Sequence, residues 1–109
     1  MQWITLKTEE ELKMLVEKSF TKPQLIFKHS TRCSVSSAIK TRLEKSSIPP
    51  TIDFNYLDLI ACRSLSNKIV EQFHVYHESP QVMLIKNGEC IFDESHLSVY
   101  MEDIVKQLD

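Results

Sequence analysis

The sequence predicts an α/β fold with the element order βαβαβαββα, a central mixed sheet flanked by helices on both faces. Three observations carry that reading. Leu25 to Lys28 reads as a buried strand, and Gln81-Val82-Met83-Leu84-Ile85 as a second strand. Between strand-like runs, apolar residues recur at helical spacing. Asn87-Gly88, set between Ile85 and Cys90, supplies the positive φ angles of a type I′ hairpin turn, so the last two strands are antiparallel neighbours.

In chain order, Trp3 to Leu6 is a short strand. Thr8 with Glu11 has the spacing of a capping box, and Leu12, Leu15 and Val16 follow on one helical face. Leu25 to Lys28 is a buried strand, and Val35, Ala38, Ile39 and Leu43 line a helix that begins around Cys33 and is closed by Pro49-Pro50. Thr51 to Tyr56 alternates polar and apolar, as a strand does, and Leu57 extends it. Ser64 is the expected N-cap of a helix burying Leu65, Ile69, Val70 and Phe73, which ends before the polar loop Tyr76-His77-Glu78-Ser79-Pro80. After the hairpin, Leu97, Met101, Ile104, Val105 and Leu108 share a helical face, with Ser98 as the expected cap. Parallel neighbours require right-handed crossovers. There are no internal repeats or linkers, so residues 1–109 read as one domain.

Composition excludes several function classes. A net charge of −2 with 26% charged residues gives no electrostatic case for nucleic acid. No stretch approaches the roughly 20 apolar residues of a membrane span, and the first residues carry no basic leader, so a cytoplasmic location is expected. Three cysteines at wide, irregular spacing argue against a disulfide framework and against paired metal knuckles. Four scattered histidines, His74 and His77 among them, do not supply a metal motif either.

The chemistry concentrates at Cys33. It stands where an apolar run passes through Lys28-His29-Ser30-Thr31-Arg32 into an amphipathic stretch, placing its sulfur at the mouth of a helix. There, unpaired backbone N–H groups and the positive end of the helix dipole favour a thiolate, and Arg32 adds to the effect. In Cys33-Ser34-Val35-Ser36 the fourth residue is serine, so any exchange starts with one thiol. With Ser79-Pro80 ahead of the terminal hairpin and helix, this is the constellation and element order of a thioredoxin-like fold.

Lys28 to Ser36, Glu78-Ser79-Pro80-Gln81-Val82, Lys86-Asn87-Gly88 and Ser95-His96 together resemble the YtxJ-like monothiol bacilliredoxins over essentially the whole chain. The resemblance implies a thioredoxin-like fold and bacillithiol-dependent thiol redox chemistry in bacteria. Cys33 matches the active cysteine, Ser36 the serine in the resolving position, and Pro80 the proline held in cis beside the site. Ser34 departs from the pattern, which commonly has proline there.

On this reading Cys33 takes the small thiol from a protein mixed disulfide, and external thiol resets it. Ser36 donates a hydrogen bond to the thiolate. Pro80 lacks an N–H and, in cis, holds the loop in a tight turn beside Cys33, leaving the Ser79 backbone free to pair with an extended substrate. Arg32, Lys28 and His29 favour the thiolate or hold a carboxylate of the small thiol, although ordinary solvated charge is the plainer reading of all three. The expected partners are proteins carrying small-thiol mixed disulfides, and bacillithiol or a related small thiol as co-substrate. No tightly bound cofactor, metal, nucleic acid or membrane is expected. Cys62 and Cys90 read as packed small hydrophobes, and His96 as a residue that orders its turn. Two other functions share the fold. One is a binding module using the Pro80 face, and the other is a glutaredoxin-type iron–sulfur carrier. Against the carrier, the chain lacks Cys-Gly-Phe-Ser and a glycine pair near the last helix.

Overall fold

A computed structural model describes residues 1–108; Asp109, the last residue of the domain read from the sequence, lies outside the described residues. The elements are β1 (Ile4–Thr5), α1 (Glu9–Lys18), β2 (Gln24–His29), α2 (Ser34–Lys45), β3 (Asp53–Asp58), α3 (Arg63–Phe73), β4 (Gln81–Lys86), β5 (Glu89–Ser95), a 3₁₀ turn at His96–Ser98 and α4 (Met101–Lys106). They form a five-stranded sheet ordered β1-β3-β2-β4-β5. β1 and β2 run parallel to β3, while β4 runs antiparallel to β2 and β5.

Alternate residues of β2 face opposite layers, as the two-residue period of a strand requires. Leu25 and Phe27 pack with Ile39 and Leu43 of α2 and with Met101 and Ile104 of α4. Ile26 packs on the other face with Leu12 and Leu15 of α1 and with Leu65, Ile69 and Phe73 of α3. Coverage on both faces explains why all six residues of β2 are buried.

The local devices read from the sequence are present. Thr8 and Glu11 exchange the reciprocal hydrogen bonds of a capping box. Asn87 and Gly88 take φ values of 54° and 77°, and Ser19 anchors the hairpin by accepting from both of their N–H groups.

Several element details differ, and β3 starts at Asp53, two residues after Thr51. The buried stripe of α2 is Ser36, Ile39 and Leu43, while Val35 and Ala38 are exposed. Ser36 and Leu43 lie on one side of Ile39 around the helix and Val35 and Ala38 on the other, so the stripe is rotated toward a polar residue. α3 is capped by Cys62 instead of Ser64. Asp58 Oδ1 accepts the N–H groups of Ile60 and Ala61, and Cys62 N–H donates to Asp58 O, a tight turn that delivers the chain into the helix two residues earlier.

The last helix starts at Met101 after Tyr100, with Ser98 left in the 3₁₀ turn and Leu97 exposed. Arg42 of α2 explains the delay: its Nη1 donates to the carbonyls of Leu97 and Val99, both at 2.8 Å, and its guanidinium lies over the Tyr100 ring. Those carbonyls are thereby engaged away from a helical ladder.

Candidate active site

β2 and β3 end side by side, with His29 paired to Asp58, so the helices that follow them begin at one end of the sheet. Cys33 is the N-cap of α2 and Cys62 the N-cap of α3. The Lys28–Gln81 register brings Pro80, one residue before β4, alongside the end of β2 from which the Cys33 loop departs. Cys33, Ser36, Ser79 and Pro80 therefore belong to one end of the sheet.

Cys33 is a free, half-buried thiol in extended backbone conformation, with φ −107° and ψ 119°. Its N–H donates to Ser30 O and its carbonyl accepts from Ser37 N–H. The sulfur receives no capping hydrogen bond from the first turn of α2. The helix-mouth position is as expected, but the direct N–H contact to sulfur is not formed in this state. Arg32 is exposed at the same turn.

The hydroxyl of Ser36 is engaged elsewhere than the sequence suggests. Ser36 is fully buried; its Oγ lies 2.6 Å from His29 Nδ1 and accepts the N–H of Ser30 at 3.1 Å. No hydrogen bond joins it to Cys33 among the described residues. Its side chain instead ties the end of β2 to the first turn of α2. His29 is held by aromatic rings, with Phe27 stacked 5.5 Å away and Tyr56 tilted at 5.5 Å. Burial pushes the His29 imidazole pKa below its ordinary value, assisted by the nearby Lys40. Its reading as a solvated residue is thus corrected.

Lys28 corrects the same expectation more strongly. It points to the face opposite His29, is fully buried, and its Nζ has no hydrogen-bond partner among the described residues. Burial alone pushes the amine down to about 8. The physical reason is its strand: β2 is central, between β3 and β4, with both faces covered. Ser79 Oγ and Gln81 Oε1, from the segment entering β4, are also buried without partners.

The Ser79–Pro80 peptide bond is cis. His96 orders this loop, its N–H donating to Pro80 O at 2.9 Å and its Nε2 lying 2.9 Å from Glu78 Oε2. His96 itself is in the left-handed region, with φ 56°. Sequence reasoning placed His96 at a turn but missed its partner, because Glu78 is eighteen residues away. His77 leans on α3, its Nδ1 3.4 Å from Ser66 Oγ. His74 ends α3 in a left-handed conformation.

The remaining cysteines are packed. Cys62 and Cys90 are half-buried against the α1/α3 layer. Burial pushes the Cys90 thiol up to about 11, and its Sγ approaches Phe92 O at 3.4 Å. Among the described residues no group of three or more His, Cys, Asp or Glu side chains is placed to hold a metal ion. None of the helices described is long and apolar enough to cross a membrane.

A family model described as monothiol bacilliredoxin BrxC matches residues 4–104. The chain belongs to the monothiol bacilliredoxin family. Solved structures agree on the fold. A thioredoxin-fold protein to which oxidoreductase activity has been ascribed superposes with a TM-score of 0.85 at 25% identity, over 97% of this chain and 93% of that one. Fasciola hepatica thioredoxin gives 0.75 at 16% identity, covering 96% and 94% of the two chains. Malassezia sympodialis thioredoxin also gives 0.75, at 15% identity, covering 98% and 87%. Membership of this family, on a thioredoxin fold, makes the chain a thiol oxidoreductase.

Proposed function

We propose that the protein removes bacillithiol, or a similar low-molecular-weight thiol, from protein mixed disulfides through Cys33. The observation that carries this reading is the position of Cys33: a half-buried free thiol at the N-cap of α2, beside the Pro80 loop, with serine at the place a second thiol would occupy. Family membership supports the choice of small thiol.

In the first step the Cys33 thiolate attacks the small-thiol sulfur of the mixed disulfide. A new disulfide forms between Cys33 and the small thiol, the original S–S bond breaks, and the protein sulfur leaves as thiolate. A second small-thiol anion then attacks the adduct, releasing Cys33 thiolate and the symmetrical small-molecule disulfide. The electrons balance without a bound cofactor. Ser36 has no sulfur to intercept the adduct, which biases the enzyme toward small-thiol exchange.

Half-buried Ser79 offers backbone to the protein substrate from the loop that buried Pro80 holds in place, and exposed Arg32 offers a cation to a carboxylate of the small thiol. Three free thiols suit a reducing compartment, and we assign the protein to the cytoplasm.

The test is transfer from a bacillithiolated protein, followed by mass. Cys33→Ser abolishes release of the small thiol, whereas Cys62→Ser retains it. Undiminished release by Cys33→Ser overturns the assignment of the nucleophile. Ser36→Cys, by contrast, permits an internal disulfide and diverts the adduct.

A further inference from the structure

Ser79 has a main chain that the fold leaves open. Its Oγ is buried, so what this half-buried residue shows to solvent is main chain and Cβ. Among the described residues, neither its N–H nor its carbonyl is hydrogen-bonded within the fold. Pro80, which follows it, has no N–H. Such a main chain binds an extended segment more tightly when it is held still, because less ordering entropy is lost on binding.

His96 holds it from both sides. Gln81 pairs with Ser95, so His96 comes alongside Pro80, and its N–H donates to Pro80 O at 2.9 Å, one residue beyond the β4–β5 ladder. The imidazole reaches to the other flank of Ser79, where Nε2 lies 2.9 Å from Glu78 Oε2. A carboxylate only accepts, so Nε2–H is the donor. One residue thus grips Glu78 through its side chain and Pro80 through its main chain, with Ser79 between them.

The backbone of His96 fits a dedicated role. Its φ of 56° lies in the left-handed region, which is uncommon for residues other than glycine and which asparagine also tolerates. Glycine or asparagine at this position would keep the N–H bond to Pro80 O. Glycine has no side chain to reach Glu78, and the amide of asparagine stops short of where Nε2 stands. The chain therefore accepts an unfavourable backbone conformation at a residue whose imidazole completes the second contact.

We propose that His96 is a positioning residue for the polypeptide part of the substrate, acting through the Ser79 main chain. By fixing Glu78 and Pro80 it presets the N–H and carbonyl of Ser79 for pairing with an extended segment beside the mixed disulfide. It takes no part in the sulfur chemistry at Cys33. This role rests on the proposed exchange at Cys33 with the polypeptide lying along Ser79.

The test gives the full chain two substrates: a bacillithiolated protein, and the symmetrical disulfide of bacillithiol, which has no polypeptide to pair. His96→Asn tolerates the left-handed backbone and keeps the N–H, so it removes the side-chain contact alone. Glu78→Ala removes the same contact from the other end. Each is expected to raise KM for the bacillithiolated protein about three- to fivefold, with kcat, and the rate of Cys33 adduct formation from the small disulfide, held within about twofold. Glu78→Gln, whose amide oxygen still accepts from Nε2–H, restores the wild-type KM. The double variant, His96→Asn with Glu78→Ala, goes no further than either change alone. An unmoved KM in both single variants overturns the role of His96. So does an equal loss on both substrates, which is what a general loosening of the fold gives. A wild-type protein that releases no small thiol from the bacillithiolated protein overturns the exchange reading, and this role with it.

Discussion

Ser36 Oγ lies 2.6 Å from His29 Nδ1, with both side chains buried, and this bond links the last residue of β2 to the first turn of α2. The Cys33 loop spans the same two elements. A residue that stands in a resolving position by sequence is thus, in the reduced fold, a tie across the base of that loop.

Removing the tie should cost stability. Ser36→Ala leaves Ser30 N–H and a buried imidazole without a partner, and about 1–3 kcal/mol is the expected loss. Urea unfolding should show a lower midpoint at an unchanged slope. An unshifted midpoint would mean that the bond contributes nothing net.

His29 should also make the fold acid-sensitive. Its imidazole titrates below its ordinary value of 6.5 in the fold, so the unfolded chain binds the proton more readily. Its contribution is fully present above pH 6.5 and is lost as pH falls through the lower folded value. Stability measured from pH 7 down to 5 should decline less steeply in His29→Phe than in wild type; parallel declines would refute this.

Lys28 acts in the alkaline range with the same sign. The fold releases the amine proton near 8, whereas the unfolded chain holds it to 10.5, so stability rises with pH between those values. The displacement corresponds to roughly 3 kcal/mol. Cys90 opposes it: its thiol, ordinarily 9.0, ionises near 11 in the fold, so its contribution is lost as pH rises across that interval. The wild-type profile is therefore flatter than either group alone would make it. Lys28→Met should raise stability at pH 7 by about 1–3 kcal/mol, and the gain should shrink toward pH 10.5. A destabilised variant at pH 7 would show that the buried amine is matched in solution by a favourable partner.

Gly88 is set by backbone conformation. At φ 77° a side chain is strained, and a Cβ would stand 3.1 Å from Cζ of Phe20, a flexible and exposed ring end. Strain dominates over clash, so Gly88→Ala should cost about 1–2 kcal/mol, and Gly88→Asn less, because Asn tolerates the left-handed region. Thermal unfolding of the two variants checks the order.

The fold was legible where the signal is local. Thr8 with Glu11, Asn87 with Gly88, and the apolar runs of β2 and β4 each specify their structure within a few residues. Cys33 at a helix mouth followed from element order, and Pro80 beside it from the family resemblance. What escaped depends on distant partners. Ser98 was displaced as a cap because Arg42, more than fifty residues earlier, engages the carbonyls of Leu97 and Val99. Lys28 and His29 look solvated because charge and polarity argue for a strand end, even though the buried strand read from the sequence includes Lys28; β2 runs on through His29 between two neighbouring strands. The one available hint was their place directly after Leu25-Ile26-Phe27. Ser36 was assigned to Cys33 by spacing, whereas its bond to His29 exists only once β2 and α2 are packed.

The most direct test of the Cys33 chemistry is intact mass spectrometry of the reduced protein after brief exposure to oxidised bacillithiol, with oxidised glutathione in parallel and the modified cysteine located by peptide mapping. The expected result is a rapid single bacillithiol adduct confined to Cys33. No adduct, or slow and indiscriminate labelling of Cys33, Cys62 and Cys90, would contradict the account and favour a thioredoxin-fold module that binds its partners without exchanging thiols.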